Sequence, residues 1–179
     1  CGSTGELIWH FKTVERDFWD FDVPSIPSIV DLQLEGHLVP ALIQSTKMGF
    51  IFVLNRETGE PLIEVESREV PRFGPLKDQL SPTLPFPPDA FLVSRRYERG
   101  QSPMGICRRM EEESQVGEIY TPITEQWTIG LPSNMGATNW GGVAVDAERG
   151  LIALHSNNVA FRTKLLDKSK APPELLETM

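Results

Sequence analysis

Short runs of alternating apolar and polar residues, separated by turn-forming residues, dominate this chain, and that period of two is the signature of β-strands. Leu7-Ile8-Trp9-His10-Phe11-Lys12-Thr13-Val14 is rich in β-branched and aromatic residues and follows the turn signal Thr4-Gly5, which predicts a strand. The block Ser28-Ile29-Val30-Asp31-Leu32-Gln33-Leu34 and the block Leu38-Val39-Pro40-Ala41-Leu42-Ile43, joined at Glu35-Gly36, predict a hairpin. After Met48-Gly49 comes the apolar run Phe50-Ile51-Phe52-Val53-Leu54, which Asn55-Arg56-Glu57-Thr58-Gly59-Glu60 connects to Leu62-Ile63-Glu64-Val65, a second hairpin pattern. Strands are also predicted at Glu118-Ile119-Tyr120-Thr121 and Gln126-Trp127-Thr128-Ile129. Two more, Gly142–Asp146 and Leu151–His155, flank the loop Ala147-Glu148-Arg149-Gly150. Helical signals are sparse, the exception being Met104 to Val116. Thr4-Gly5-Glu6 recurs as Thr58-Gly59-Glu60, 54 residues later, and a period near 50 belongs to propeller-like blades. The pattern as a whole predicts an all-β meander, which in closed form is a propeller or a barrel.

This patterning divides the chain into blade segments over 1–65, a long irregular insertion over 66–118 that holds many prolines and the cluster Arg108-Arg109-Met110-Glu111-Glu112-Glu113, further blade strands over 119–163, and a polar tail over 164–179. Composition narrows the class. With 40% hydrophobic and 23% charged residues in 179, the chain is globular in type and has room for one ordinary domain. Lys+Arg 17 against Asp+Glu 25 leaves a net charge of −8; with no basic stripe, such a chain repels phosphate backbones, which argues against a nucleic-acid partner. No apolar run approaches the roughly 20 residues of a membrane span, and the start lacks the order of a signal peptide. Cys1 and Cys107 lie far apart without CxxC or nearby histidines, so neither a disulfide framework nor a zinc pattern is present. The opening Cys1-Gly2-Ser3 runs straight into strand-like sequence without an initiator Met, and a piece of a larger reading frame is expected.

Several side chains are candidates for chemistry. Asp17-Phe18-Trp19-Asp20-Phe21-Asp22-Val23-Pro24 crowds three carboxylates into a short stretch. Mutual repulsion of that kind raises the proton affinity of at least one and so tunes a general base; the same residues also suit a turn in which Asp side chains bond their own backbone. Lys47 stands at the mouth of a strongly apolar strand, where it either polarises a ligand oxygen or snorkels to solvent. His155 ends a strand beside Ser156-Asn157-Asn158 and suits a ligand hydrogen bond or a plain loop. His10 and His37 have no partners in sequence, and alternation within its strand turns His10 to solvent. Gly136-Ala137-Thr138-Asn139-Trp140-Gly141-Gly142 is glycine-rich, yet no Gly-Lys-Ser/Thr follows it and no helix pattern starts there, which sets a nucleotide loop aside. Trp140 between small residues suits a flat partner, either a neighbouring blade or an aromatic cofactor.

Taken in order, these segments resemble the membrane-bound quinoprotein glucose dehydrogenases, which use pyrroloquinoline quinone (PQQ). The resemblance rests on Thr4-Gly5-Glu6-Leu7-Ile8-Trp9, similar to a tryptophan-docking repeat, on Thr13-Val14 with Asp17–Pro24, on Val39-Pro40-Ala41, and on Lys47–Arg56. It continues through Ser81–Phe86, Cys107-Arg108, Leu131–Gly136 and Asn139–Asp146. It implies a sector, about three blades at roughly 40–50 residues each, of an eight-bladed propeller with PQQ across its axis. It also implies oxidation of a sugar or alcohol by hydride transfer to the quinone. By the same resemblance Asp20 is the general base and Lys47 hydrogen-bonds the quinone oxygens; the separation of 27 residues between them agrees with the family pattern. By the resemblance His155 falls at a cofactor-contacting position where the family commonly has asparagine, and Trp140 joins it as a cofactor-binding candidate on the strength of its flat ring. The divalent ion, Ca2+ or Mg2+, would take its ligands from outside this chain. Electrons would pass to membrane ubiquinone at the periplasmic face, and the remaining blades or other copies would complete the ring, so that the isolated chain is expected to be a poor enzyme. The competing expectations are a non-catalytic propeller scaffold and an inactive remnant.

Overall fold

The computed structural model describes residues 1–101 and 105–172. Among the described residues ten short strands make up four small sheets, connected by one short helix, three single-turn 3-10 segments and irregular loops. Strands β1 (Ser28–Leu34), β2 (His37–Ser45) and β3 (Ile51–Asn55) form an antiparallel meander. The β1–β2 register closes on Leu34 opposite His37. Glu35 and Gly36 both adopt positive φ (50° and 83°), the pair of left-handed residues that a two-residue hairpin turn matched to strand twist requires.

This meander is the wall between two cores. Phe50, Phe52, Leu54 and Leu42 face an aromatic cluster with Trp19, Phe21, Met48, Leu84 and Tyr120. Ile43, Ile51 and Val53 face the opposite way, against Val30, Leu32, Phe91, Val143, Val145, Ile152 and Leu154. The unbroken apolar run Phe50–Leu54 follows from this placement, since successive side chains point to opposite faces and both faces are buried.

The second core is roofed by the hairpin of β8 (Val143–Asp146) and β9 (Leu151–Leu154). Ser28 Oγ ties it to β1 by donating to the Val143 carbonyl at 2.7 Å. On the other side β4 (Glu66–Glu69) pairs with β5 (Thr83–Phe86). Helix α1 (Ile106–Glu112) leads into β6 (Gln115–Val116), which runs parallel to β7 (Thr128–Gly130); β7 also pairs antiparallel with β10 (Phe161–Thr163). The stretch 66–118, expected as irregular insertion, therefore carries a hairpin, a helix and a strand. Met104, where the helical signal begins, lies outside the described residues, as do residues 173–179 of the expected tail.

Three expected strands do not form among the described residues. Leu7–Val14 pairs with no strand among the described residues; it is held by side chains instead. Trp9 donates through Nε1 to the Arg56 carbonyl at 3.1 Å, and Phe11 packs on Phe52 with ring centroids 5.1 Å apart. Gly59, at φ 78°, leaves no room for a Cβ, which would come within 2.6 Å of the Trp9 ring. The tryptophan after the first Thr-Gly-Glu thus docks on the glycine of the second. In Glu118–Thr121 the chain turns, with Thr121 N–H donating to the Glu118 carbonyl and Tyr120 at φ 65°. Burial of the Tyr120 ring in the aromatic core outweighs the β propensity of its neighbours. Leu62–Val65 keeps only a remnant of its hairpin, a Leu54–Pro61 bridge and the bond from Leu62 N–H to the Val53 carbonyl.

Candidate functional site

Lys47 occupies the four-residue turn between β2 and β3. Gly49 closes that turn by donating to the Thr46 carbonyl at 2.8 Å and takes φ 80°. The turn is clamped from ninety residues away in sequence. Thr138 Oγ1 donates to the Thr46 carbonyl at 2.7 Å, and Ala137 N–H donates to the Lys47 carbonyl at 2.8 Å. Gly136 lies so close that a Cβ there would meet Lys47 Cγ at 2.6 Å. Asn157 N–H bonds the Ala137 carbonyl at 2.6 Å, which fastens this loop to the segment after β9. Thr46, Ala137 and Thr138 are buried, so these bonds are made away from competing water.

The acidic segment approaches from the other side and has no regular structure of its own. Trp19 pins its start: its indole Nε1 donates to the Thr121 carbonyl at 2.9 Å, and its ring meets Tyr120 edge-on at 5.2 Å and stacks near Phe21 at 6.2 Å. Ser25 pins its end, bonding Gln44 Nε2 at 2.9 Å and lying 3.3 Å from Ser45 Oγ. Between these anchors Asp20 takes φ 63°, a left-handed conformation that aspartate tolerates better than most residues.

The three carboxylates then divide. Asp17 accepts from Trp19 N–H at 2.9 Å and is the turn-forming acid. Its carboxyl is pushed above the usual range, chiefly by burial; backbone hydrogen bonds from Trp19 and Phe21 oppose this, and the nearby charges of Asp20 and Asp22 add to it. Asp20 and Asp22 instead converge on Lys47, whose Nζ donates to Asp20 Oδ2 at 3.1 Å and stands 2.5 Å from Asp22 Oδ1. The Lys47 side chain is only 11% exposed, while those of Asp20 and Asp22 are 65% and 55% exposed. Burial alone would lower the proton affinity of the ammonium; Asp22 and Asp20 together outweigh that and hold it above the ordinary lysine value.

The structure thus brings Asp20 and Lys47 into direct contact and leaves the other two candidates apart. Trp140 follows the clamping loop and is 84% exposed, and His155 is exposed just after β9. Among the described residues no hydrogen bond or ion pair joins either to Asp20 or Lys47. Sequence reasoning missed the clamp, Gly136 to Thr138, and the partnership of Asp22 with Lys47. The only sequence signal for the latter was the closeness of Asp22 to Asp20 in the chain.

Behind the acids a cavity of about 60 Å³ is lined by Trp19, Phe21, Tyr120, Leu131 and Ser133. Ligand pockets run to about 300–1,000 Å³, so this cavity is too small for a ligand of cofactor size. The Tyr120 hydroxyl is buried without a hydrogen-bond partner, and burial, then the charge of Asp17, pushes its ionisation far up. It is a neutral phenol at any ordinary pH. Among the described residues no group of three or more His, Cys, Asp or Glu is placed to hold a metal ion, and no helix is long and apolar enough to cross a membrane.

A wall of antiparallel strands shared by two cores, with a lysine-carboxylate cluster at one strand end, defines a blade-type β protein with a polar site. Residues 2–177 match the PQQ family described as glucose/ethanol/alcohol dehydrogenase, beta-propeller domain, and the chain belongs to that family. It is 32% identical to the quinoprotein glucose dehydrogenase of Escherichia coli K12 over 96% of this chain and 22% of that protein. Quinoprotein glucose dehydrogenase A of Acinetobacter calcoaceticus is 34% identical over 92% of this chain and 22% of its own length. The glycerol dehydrogenase large subunit of Gluconobacter thailandicus is 34% identical over 94% and 24%. Among solved structures, a quinohemoprotein alcohol dehydrogenase from Pseudomonas putida HK5 shares the fold at a TM-score of 0.53 and 16% identity, over 94% of this chain and 20% of that one. The all-β reading and the sector of a quinoprotein propeller hold, and the chain spans about a fifth of the length of these relatives.

Proposed function

We propose that this chain is the part of a PQQ-dependent sugar or polyol dehydrogenase that sets a proton acceptor, Asp20, beside the cation, Lys47, that steadies a quinone oxygen. The observation that carries this reading is their contact at 3.1 Å, made by two segments 27 residues apart with separate anchors, in a chain of this family. Oxidation of an alcohol carbon to a carbonyl releases two electrons and two protons. PQQ, when bound, supplies the two-electron acceptor.

The donor set suits such a group. An ammonium has three N–H bonds, so Lys47, facing two carboxylates, has a third to offer an oxygen on its open side. Held in a nearly buried turn, it offsets negative charge gathering there without having to reorganise. Asp20 is exposed on the same cluster and takes the hydroxyl proton of the substrate. Trp140 presents a bare indole face for a flat ring, and His155 an imidazole for a hydrogen bond. The substrate class is a hydroxyl-bearing carbon of a sugar or polyol, the feature common to the glucose and glycerol of the relatives' names. A divalent ion held by residues outside this chain, ubiquinone as the onward acceptor and a periplasmic setting complete the reading.

The test is a titration of the chain with PQQ and Ca2+, following tryptophan fluorescence, alongside Lys47→Ala. Saturable quenching, weakened about tenfold or more by the substitution, is expected from loss of a charge-assisted bond worth about 1.5–3 kcal/mol. A folded chain that shows no saturable quenching overturns the proposal.

A further inference from the structure

Lys47 faces two acids, and the reaction needs only one of them as a base. We propose that Asp22 is the standing counter-ion of Lys47, a positioning residue that keeps the ammonium charged and in place so that Asp20 is free to take up a proton. The inference rests on the reading above for the role of Asp20 and on geometry for the pairing. Asp22 Oδ1 lies 2.5 Å from Nζ, against 3.1 Å for Asp20 Oδ2. Asp20 is the more exposed acid and sits at a left-handed residue, whereas Asp22 is three residues from the Ser25 anchor on β2.

Charge accounting gives the reason for two acids. A carboxylate that alone neutralises an ammonium gives up much of its affinity for a proton. With both acids ionised the cluster carries one net negative charge, and a proton arriving on Asp20 brings it to zero. Were Asp22 neutral, the same proton would leave a nearly buried ammonium without a counter-charge, an arrangement that costs more than either paired state. The ionisable groups facing Lys47 are Asp20 and Asp22, and both of these also lie close enough to Asp17 to act on it. The clamping segment Ser133–Asn139 brings none.

Lysine carrying 13C at Cε and 15N at Nζ allows the alkaline titration of Lys47 to be followed by NMR in the 179-residue chain, with the resonance assigned through Lys47→Arg. The expected result is that Asp22→Asn moves the Lys47 titration to lower pH by more than Asp20→Asn does. Asp22→Glu should restore most of the shift. A larger displacement in Asp20→Asn, or no displacement in Asp22→Asn, overturns the proposal; backbone amide spectra establish that each variant is folded. Since Asp22 is more than half exposed and asparagine is isosteric, the fold is expected to survive. PQQ titration of the same variants separates the two readings. A displaced Lys47 titration in a chain that binds no quinone would sink the dehydrogenase site and leave the counter-ion standing. Quinone binding with a Lys47 titration indifferent to Asp22 would do the reverse.

Discussion

The two sides of the Lys47 cluster are built on different principles. The lysine side is held by its backbone. A closed turn, two hydrogen bonds from a distant loop and a glycine with no space for a Cβ fix the backbone at Lys47. The acid side has no strand or helix, and its placement depends on side chains that it sends into the aromatic core and into the Ser25–Gln44 contact. A charge that must stay in place is served by the first arrangement. A carboxylate that exchanges a proton with a ligand is served by the second, which leaves it exposed on a segment with few bonds of its own.

That contrast can be broken most forcefully at Trp19. Trp19→Ala removes a buried ring that touches Phe18, Phe21 and Tyr120 together with the bond to Thr121, and a loss of about 3–5 kcal/mol in urea denaturation is expected. The acids should lose their position while the Lys47 turn keeps its own, visible as amide shifts confined to residues 17–22 and to the Tyr120 neighbourhood. Equal disturbance of residues 133–139 would show that the two sides are not separate.

Gly136→Ala tests the lysine side with a smaller change. At φ 80° the new methyl is strained and meets Lys47 Cγ, Lys47 Cα and the Thr138 carbonyl within 2.9 Å, so a cost of about 1–3 kcal/mol is expected. Quinone affinity should fall with it, because the lysine stem has to move. Unchanged stability would mean that the clamp is loose.

The smallest effect sharpens the division among the acids. Asp17 has its proton affinity raised in the folded chain, so ionisation of Asp17 costs stability. The penalty is absent below the unfolded value near 3.8 and develops as pH rises through the higher folded value. Asp17→Asn, which keeps an oxygen for the Trp19 N–H, should therefore be slightly more stable than the parent at pH 7, and the difference should vanish as pH falls below 3.8. A variant less stable at pH 7 would mean that the Asx turn needs the carboxylate charge.

How much of this was legible beforehand depends on how local each feature is. The hairpins at Glu35-Gly36 and Ala147–Gly150 were readable because a turn and its flanking alternation lie within a dozen residues. Leu7–Val14 reads as a strand with the same confidence of pattern, yet no described strand offers it a ladder, and propensity cannot supply a partner. Tyr120 reads as a strand residue and became a turn residue because an aromatic core took its ring. The pairing of Asp20 with Lys47 entered through the family resemblance, and the motif by itself favoured a turn over a base; the fold assigned the turn to Asp17 and brought the other two acids to the lysine.

From its sequence alone this protein was determined to be all-β, acidic, blade-like and akin to quinone-dependent dehydrogenases, since these properties are carried by composition, by the period of two and by short ordered motifs. Only the tertiary structure decided which carboxylate caps and which faces the cation, that Trp9 docks on Gly59, and that a loop ninety residues away clamps Lys47. Those outcomes depend on which surfaces are buried together, and burial is a property of the whole packed chain rather than of any segment within it.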